Sequence, residues 1–103
     1  MSDPCDLSAT DAREQIEKKQ LSPLELVDSC IARIEAVDAR LNAMVATCYD
    51  RARDEAVMAE KAVMEGLTLG PLHGLPLGVK DLNVTEGLRT TFGSELHANF
   101  IPD

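Results

Sequence analysis

Gly70-Pro71-Leu72-His73-Gly74-Leu75-Pro76-Leu77-Gly78-Val79-Lys80-Asp81, followed by Leu82-Asn83-Val84-Thr85-Glu86-Gly87-Leu88-Arg89-Thr90-Thr91-Phe92-Gly93-Ser94, is where this chain changes its grammar. All six glycines fall between Gly66 and Gly93, while the residues before them carry helical periodicity. A single lysine ends the short apolar run from Leu75 to Val79. From Leu67 onward only Lys80 and Arg89 are basic, against eight basic side chains in the first 66 residues. A lone ammonium in an apolar, turn-rich segment demands an explanation, because burying it is costly unless it is paired or deprotonated.

Three readings of the block follow from its residues. A phosphate-binding loop needs Gly-Lys-Ser/Thr opening a helix. Here valine precedes the lysine, and Asp81 after it would repel a phosphate. The Gly70, Gly74, Gly78 spacing is not a helix-packing motif either, since Pro71 and Pro76 preclude a continuous helix. The second reading is an exposed turn in which Lys80 and Asp81 form a weak ion pair. The third buries Lys80 among Leu75, Leu77 and Val79, which would favour its neutral amine. Leu75 to Val79 reads as a buried strand, with Pro76 near its start implying an edge or a strand beginning, and Leu82 to Thr85 as another short one.

Upstream, the pattern is helical. Ser8 to Lys19 reads as a helix capped by Ser8 or Thr10, with Ala9, Ala12 and Ile16 on one face. In Ser22-Pro23-Leu24-Glu25 serine caps, proline takes the first helical position and glutamate completes a capping box. Leu24, Val27, Ile31, Ile34 and Val37 then recur at three- and four-residue steps, predicting an amphipathic helix to about Ala39. Leu41 to Cys48 is ambiguous, with a strand as one alternative. Tyr49 to Glu65 predicts a third helix with Ala52, Ala56, Ala59 and Val63 on one stripe and Gly66 as its C-terminal cap.

Composition narrows the function classes. A net charge of −8 argues against nucleic-acid binding, which needs clustered cations. Nothing at Met1-Ser2-Asp3-Pro4 resembles a secretory leader, and no apolar run approaches the length of a bilayer span. Three widely spaced cysteines without a Cys-x-x-Cys pair fit reduced thiols in a cytoplasmic protein, with Cys30 and Cys48 as small core residues. His73 and His97 have no ligand partner at helical spacing, so neither a metal nor another cofactor is expected.

The ordered block Gly70 to Asp81, then Gly87-Leu88-Arg89-Thr90-Thr91-Phe92-Gly93-Ser94, resembles the lysine-bearing segment of the amidase signature family, serine hydrolases that cut carbon–nitrogen amide bonds. Leu21 to Val27 and Arg40-Leu41-Asn42-Ala43 resemble that family's N-terminal helices, so the likeness covers nearly the whole chain. The resemblance implies an α/β fold: N-terminal helices (residues 1–66) and the first strands of a mixed sheet covered by helices (residues 67–103), together the N-terminal part of a single amidase domain. It implies Lys80 as the base of a Ser–Ser–Lys triad whose serines come later in the family, so the 103 residues alone are expected to be inactive and loosely packed after Gly66. Glycines at 74 and 78 would let neighbouring backbone approach. Asp81 is expected to help orient the lysine or its loop, and Thr90, Thr91 and Ser94 to make structural polar contacts. Leu82 stands where many relatives have asparagine, which bears on substrate more than on reaction class. A small-molecule amide is the expected substrate, a homodimer is left open, and neither nucleic acid nor membrane is an expected partner. Two alternatives stand beside this: a protein resembling the A subunit of the glutamyl-tRNA amidotransferase, freeing ammonia from glutamine, and a non-catalytic helical interaction module.

Overall fold

The computed structural model describes residues 3–103 as three α-helices followed by a long segment of turns. Met1 and Ser2, on which the leader reading partly rests, lie outside the described residues. A short 3-10 turn, Pro4–Asp6, leads into α1 (Ala9–Glu17), α2 (Pro23–Leu41) and α3 (Tyr49–Met64), and a second 3-10 turn spans Glu95–His97.

Local chemistry sets the helix ends. Ser8 caps α1 by accepting the Asp11 N–H at 3.1 Å. Ser22 caps α2 by accepting from the N–H groups of Leu24 and Glu25 at 3.0 and 3.3 Å, with Pro23 in the first turn. The expected capping box is only half made, because no return bond from the Glu25 carboxylate closes it among the described residues. Helix α1 ends in a Schellman turn: Lys19 N–H bonds the Ile16 carbonyl, Gln20 N–H bonds that of Gln15, and Lys19 adopts φ +61°. The same pair of bonds closes α3 around Gly66 at φ +73°, the cap predicted for it. Helix α2 runs two residues past the expected end and stops at Asn42, whose left-handed backbone suits asparagine.

Two apolar clusters hold the helices. Ala12, Ile16, Leu21, Leu26 and Val63 are buried together, with Leu7, Cys30, Leu69 and Leu75 packed against them. Val27, Ile31 and Ala56 form the second, joined by Leu24, Tyr49 and Ala52. The α3 stripe is as expected, with Ala56 and Val63 buried and Ala52 and Ala59 half-buried. Leu26 is a core residue outside the stripe assigned to α2. Cys30 packs at the core and burial pushes its thiol up, whereas Cys48 is exposed and not the core residue expected. Across the α2–α3 face Arg53 reaches Asp28 at 2.9 Å, an exposed pair that contributes little.

The sheet expectation needs correction. Among the described residues there is no β-ladder, only one isolated antiparallel bridge between Thr85 and Leu88. Leu75 to Val79 and, apart from the bridge at Thr85, Leu82 to Thr85 are extended or turning loops rather than strands, and of Leu41 to Cys48 the first residue ends α2 and the rest is loop. A strand exists through its neighbour's hydrogen bonds, and an isolated short ribbon is marginal in water. The radius of gyration, 15.1 Å, exceeds the roughly 13 Å of a compact domain of about 100 residues. Apolar side chains after Gly66 stand open accordingly: Leu72 is 74% and Leu77 84% exposed. None of the described helices is long and apolar enough to cross a membrane.

Candidate active site

Without a ladder, the glycine-rich block is fastened by side chains, two from the helices and two of its own. Arg13 of α1 donates from Nε and Nη2 to the Gly70 carbonyl at 3.1 and 2.8 Å. His73 Nε2 lies 2.9 Å from the Ala59 carbonyl of α3, and because a carbonyl only accepts, that nitrogen carries the proton. Arg51 donates to the Glu86 carbonyl at 3.0 Å. Arg89 bridges two loops, donating to the carbonyls of Ala98 and Val45. None of these side-chain-to-carbonyl ties was read from the sequence.

Gly74 is the point of closest approach, at φ +84°. A Cβ there would meet Ile16 Cδ1 and Pro23 Cγ, each at 3.1 Å, so the glycine admits side chains of α1 and α2 rather than the backbone approach expected of it. Gly78 has open space around its missing Cβ, so no close approach accounts for it.

Lys80 opens a turn. Its carbonyl accepts the Asn83 N–H at 3.0 Å, placing Asp81 and Leu82 at the corner. The lysine is exposed, and the burial among Leu75, Leu77 and Val79 expected of it is not there: Leu77 and Val79 are themselves exposed, and only Leu75 turns into the core. The rival picture, a Lys80–Asp81 ion pair, fails too, since Lys80 takes no part in any ion pair among the described residues and Asp81 turns away to Thr91. Asp81 Oδ1 accepts the Thr91 N–H at 2.7 Å and Oδ2 accepts the Thr91 hydroxyl. Thr90 beside it is 2% exposed, with its N–H on the Phe100 carbonyl at 2.9 Å and its hydroxyl on that of Leu88 at 3.2 Å. Ser94 caps the second 3-10 turn by accepting the Leu96 N–H at 3.2 Å. Thr90, Thr91 and Ser94 thus make the structural polar contacts expected of them. A groove of about 300 Å³ lies between the 43–46 segment and this turn, with Met44, Val45, Lys80, Asp81, Arg89 and Thr90 on its walls.

The two bonds from Thr91, above all its hydroxyl, hold the Asp81 carboxyl below the usual aspartate range, and the Arg89 charge adds to this. A carboxylate whose folded pKa is depressed contributes stability that is present above the unfolded value and lost as pH falls through the folded one. The Thr91 amide proton is therefore expected to titrate below the range of an ordinary aspartate, and Asp81→Asn to abolish that titration. A midpoint within or above the ordinary range would mean that Thr91 does not hold this carboxylate.

What the arrangement offers is a cation on a turn at the rim of a groove, anchored by its neighbours and flanked by open apolar side chains. The Amidase family profile matches residues 25–103, which takes in all but the first two residues of α2, the whole of α3 and the whole glycine-rich block. The A subunit of the glutamyl-tRNA(Gln) amidotransferase of Granulibacter bethesdensis is 39% identical over 102 residues, covering 99% of this chain and 20% of its own. Its counterpart in Anaeromyxobacter dehalogenans is 40% identical over 98 residues, with 95% and 20% covered. The crystal structure of a bacterial aryl acylamidase of the amidase signature family superposes with a TM-score of 0.88 at 36% identity, over 93% of this chain and 20% of that enzyme. The chain thus spans about a fifth of the length of the relatives it matches. On the breadth of the family match and the agreement in fold, this chain belongs to the amidase signature family.

Proposed function

We propose that this chain is the lysine-bearing segment of an amide-cleaving enzyme, with Lys80 as the general base of a Ser–Ser–Lys triad whose serines stand outside these 103 residues. The observation that carries the proposal is the family match itself, because its span includes the Lys80 turn and it is joined by agreement in fold with a solved amidase. A neutral Lys80 amine draws a proton through a bridging serine from the nucleophilic serine, which attacks the amide carbonyl. As the tetrahedral adduct collapses to the acyl-enzyme, the same proton passes to the departing amine, and water then releases the acid. Such a base must be largely deprotonated at neutral pH. The open faces of Leu77 and Val79 beside Lys80 fit that need: once covered, they desolvate the ammonium and favour its neutral form.

A second reading is favoured by the amidotransferase components among the relatives: the same chemistry releasing ammonia from glutamine for a partner's active site. One experiment separates the two. The complete polypeptide is assayed alone with an aryl amide and with glutamine, then with glutamine in the presence of the other amidotransferase components. Saturable cleavage of the aryl amide by the polypeptide alone is expected. Cleavage confined to glutamine, and dependent on the partners, would transfer the function to the second reading. Failure to cleave either amide in any combination would remove both.

A further inference from the structure

Asp81 stands next to the proposed base, yet both of its oxygens serve Thr91, ten residues away. Oδ1 takes the backbone N–H at 2.7 Å and Oδ2 takes the hydroxyl. Thr91 Oγ1 in turn accepts the Gly93 N–H at 3.3 Å, so the hydroxyl has one acceptor to serve and one donor to receive. Thr91 is fixed by what precedes it, because Thr90 is buried and tied to Phe100. On the other side, Asp81 is a corner residue of the turn that the Lys80 carbonyl closes with Asn83. A continuous chain of contacts therefore runs from buried Thr90 through Thr91 and Asp81 to the backbone of Lys80.

We propose that Asp81 is a positioning residue for the reaction: by gripping Thr91 through both carboxylate oxygens, it locks the Lys80 turn to the Thr90 anchor and sets the direction in which the lysine amine leaves the backbone. The inference rests on the reading of Lys80 as base. Nothing else in the turn performs this task. Lys80 is exposed, the flanking Leu77 and Val79 are themselves exposed, and there is no sheet among the described residues to fix the strand direction. A base must come within about 2.6–3.2 Å of the proton it takes, and a misplacement of about 1 Å costs on the order of 100-fold. On a side chain as long as lysine, a small rotation of the backbone turn produces a displacement of that size at the amine.

The test uses the complete enzyme, with kcat referred to the folded fraction measured by circular dichroism, so that unfolded protein does not enter. Asp81→Ala and Thr91→Val are each expected to lower kcat by roughly 10–100-fold with KM held within about twofold, since the groups lost do not touch substrate. The double variant is expected to be no slower than the slower single, because both remove one link. Thr91→Ser keeps the hydroxyl and the N–H and is expected to retain kcat within about threefold. Should Asp81→Ala fail to fold, Asp81→Asn decides instead: it keeps the shape and one acceptor but sets an NH2 against the Thr91 hydroxyl, and kcat should fall less than in Thr91→Val. Unchanged kcat in Asp81→Asn and Thr91→Val, or losses that simply multiply in the double variant, would overturn the positioning role. Lys80→Ala, measured alongside, separates the two levels. If it is inactive while the Asp81 and Thr91 variants run at full kcat, the base stands and the positioning role is gone. If Lys80→Ala turns over normally, the base assignment fails and this inference with it.

Discussion

Lys80→Ala in the complete enzyme is expected to lower amide turnover by about 10²–10⁴-fold, the usual contribution of a positioned general base. Two serines without a base leave a nucleophile at its ordinary hydroxyl pKa, which is almost wholly protonated at neutral pH. The loss should fall on kcat, with KM little altered, because the lysine acts on the proton and not on substrate binding. Lys80→Arg should rescue nothing, since a guanidinium cannot give up its proton in this range. The pair of variants therefore distinguishes a base from a positive charge that merely holds the turn. Steady-state turnover of an amide with a chromogenic leaving group checks it. Near-normal turnover in Lys80→Ala, or recovery of activity in Lys80→Arg, would show that Lys80 is not the base.

The largest expected effect on stability is at Ile16. Its side chain is 0% exposed in the centre of the Ala12, Leu21, Leu26 and Val63 cluster, and its two terminal methyls lie 3.1 and 3.4 Å from where a Gly74 Cβ would stand. Ile16 thus joins α1 to the glycine-rich block as well as to the helices. Ile16→Ala removes buried methyl groups and leaves a cavity that backbone on the Gly74 side fills poorly, for an expected loss of about 2–5 kcal/mol. In a core this small that loss weighs heavily against a typical stability of roughly 5–15 kcal/mol. Met58→Ala, on the exposed side of α3, should change stability by no more than about 0.5 kcal/mol. Denaturant unfolding of the complete polypeptide, read from the midpoint at constant slope, makes the comparison. A loss below about 1 kcal/mol at Ile16 would show that the core is not centred there.

The helices, the start of α2 and the end of α3 were legible because their causes are local. Ser22 and Pro23 start α2 and Gly66 stops α3 through hydrogen bonds and backbone angles set within a few residues. The Ala56–Val63 stripe could be read because helical periodicity reports which face is buried without naming the partner. The family was legible for a different reason: an ordered run of glycines, prolines and one lysine is specific as a string, whatever its conformation. The strands were not legible in the same sense. Leu75 to Val79 has the composition of a strand, but composition supplies side chains for a sheet and not the neighbouring backbone that makes one.

Charge was the other point at which the sequence fell silent. Nothing in the sequence marked Arg13, Arg51 or Arg89 for a structural task, yet each donates to a main-chain carbonyl of a distant loop and does there what a β-ladder does elsewhere. Asp81 beside Lys80 suggested an ion pair, and the fold turned it to Thr91 instead. The amino-acid sequence by itself determined three helices, the Ser22 start of α2, the Gly66 stop of α3, the family and the one lysine worth assigning. Only the tertiary structure decided that Lys80 stands at the rim of a groove, on a turn that Asp81 ties to Thr91 beside buried Thr90. Helix caps are contacts between near neighbours in the chain, whereas this grip joins residues ten apart, and its geometry exists only once the turn and the anchor are both in place.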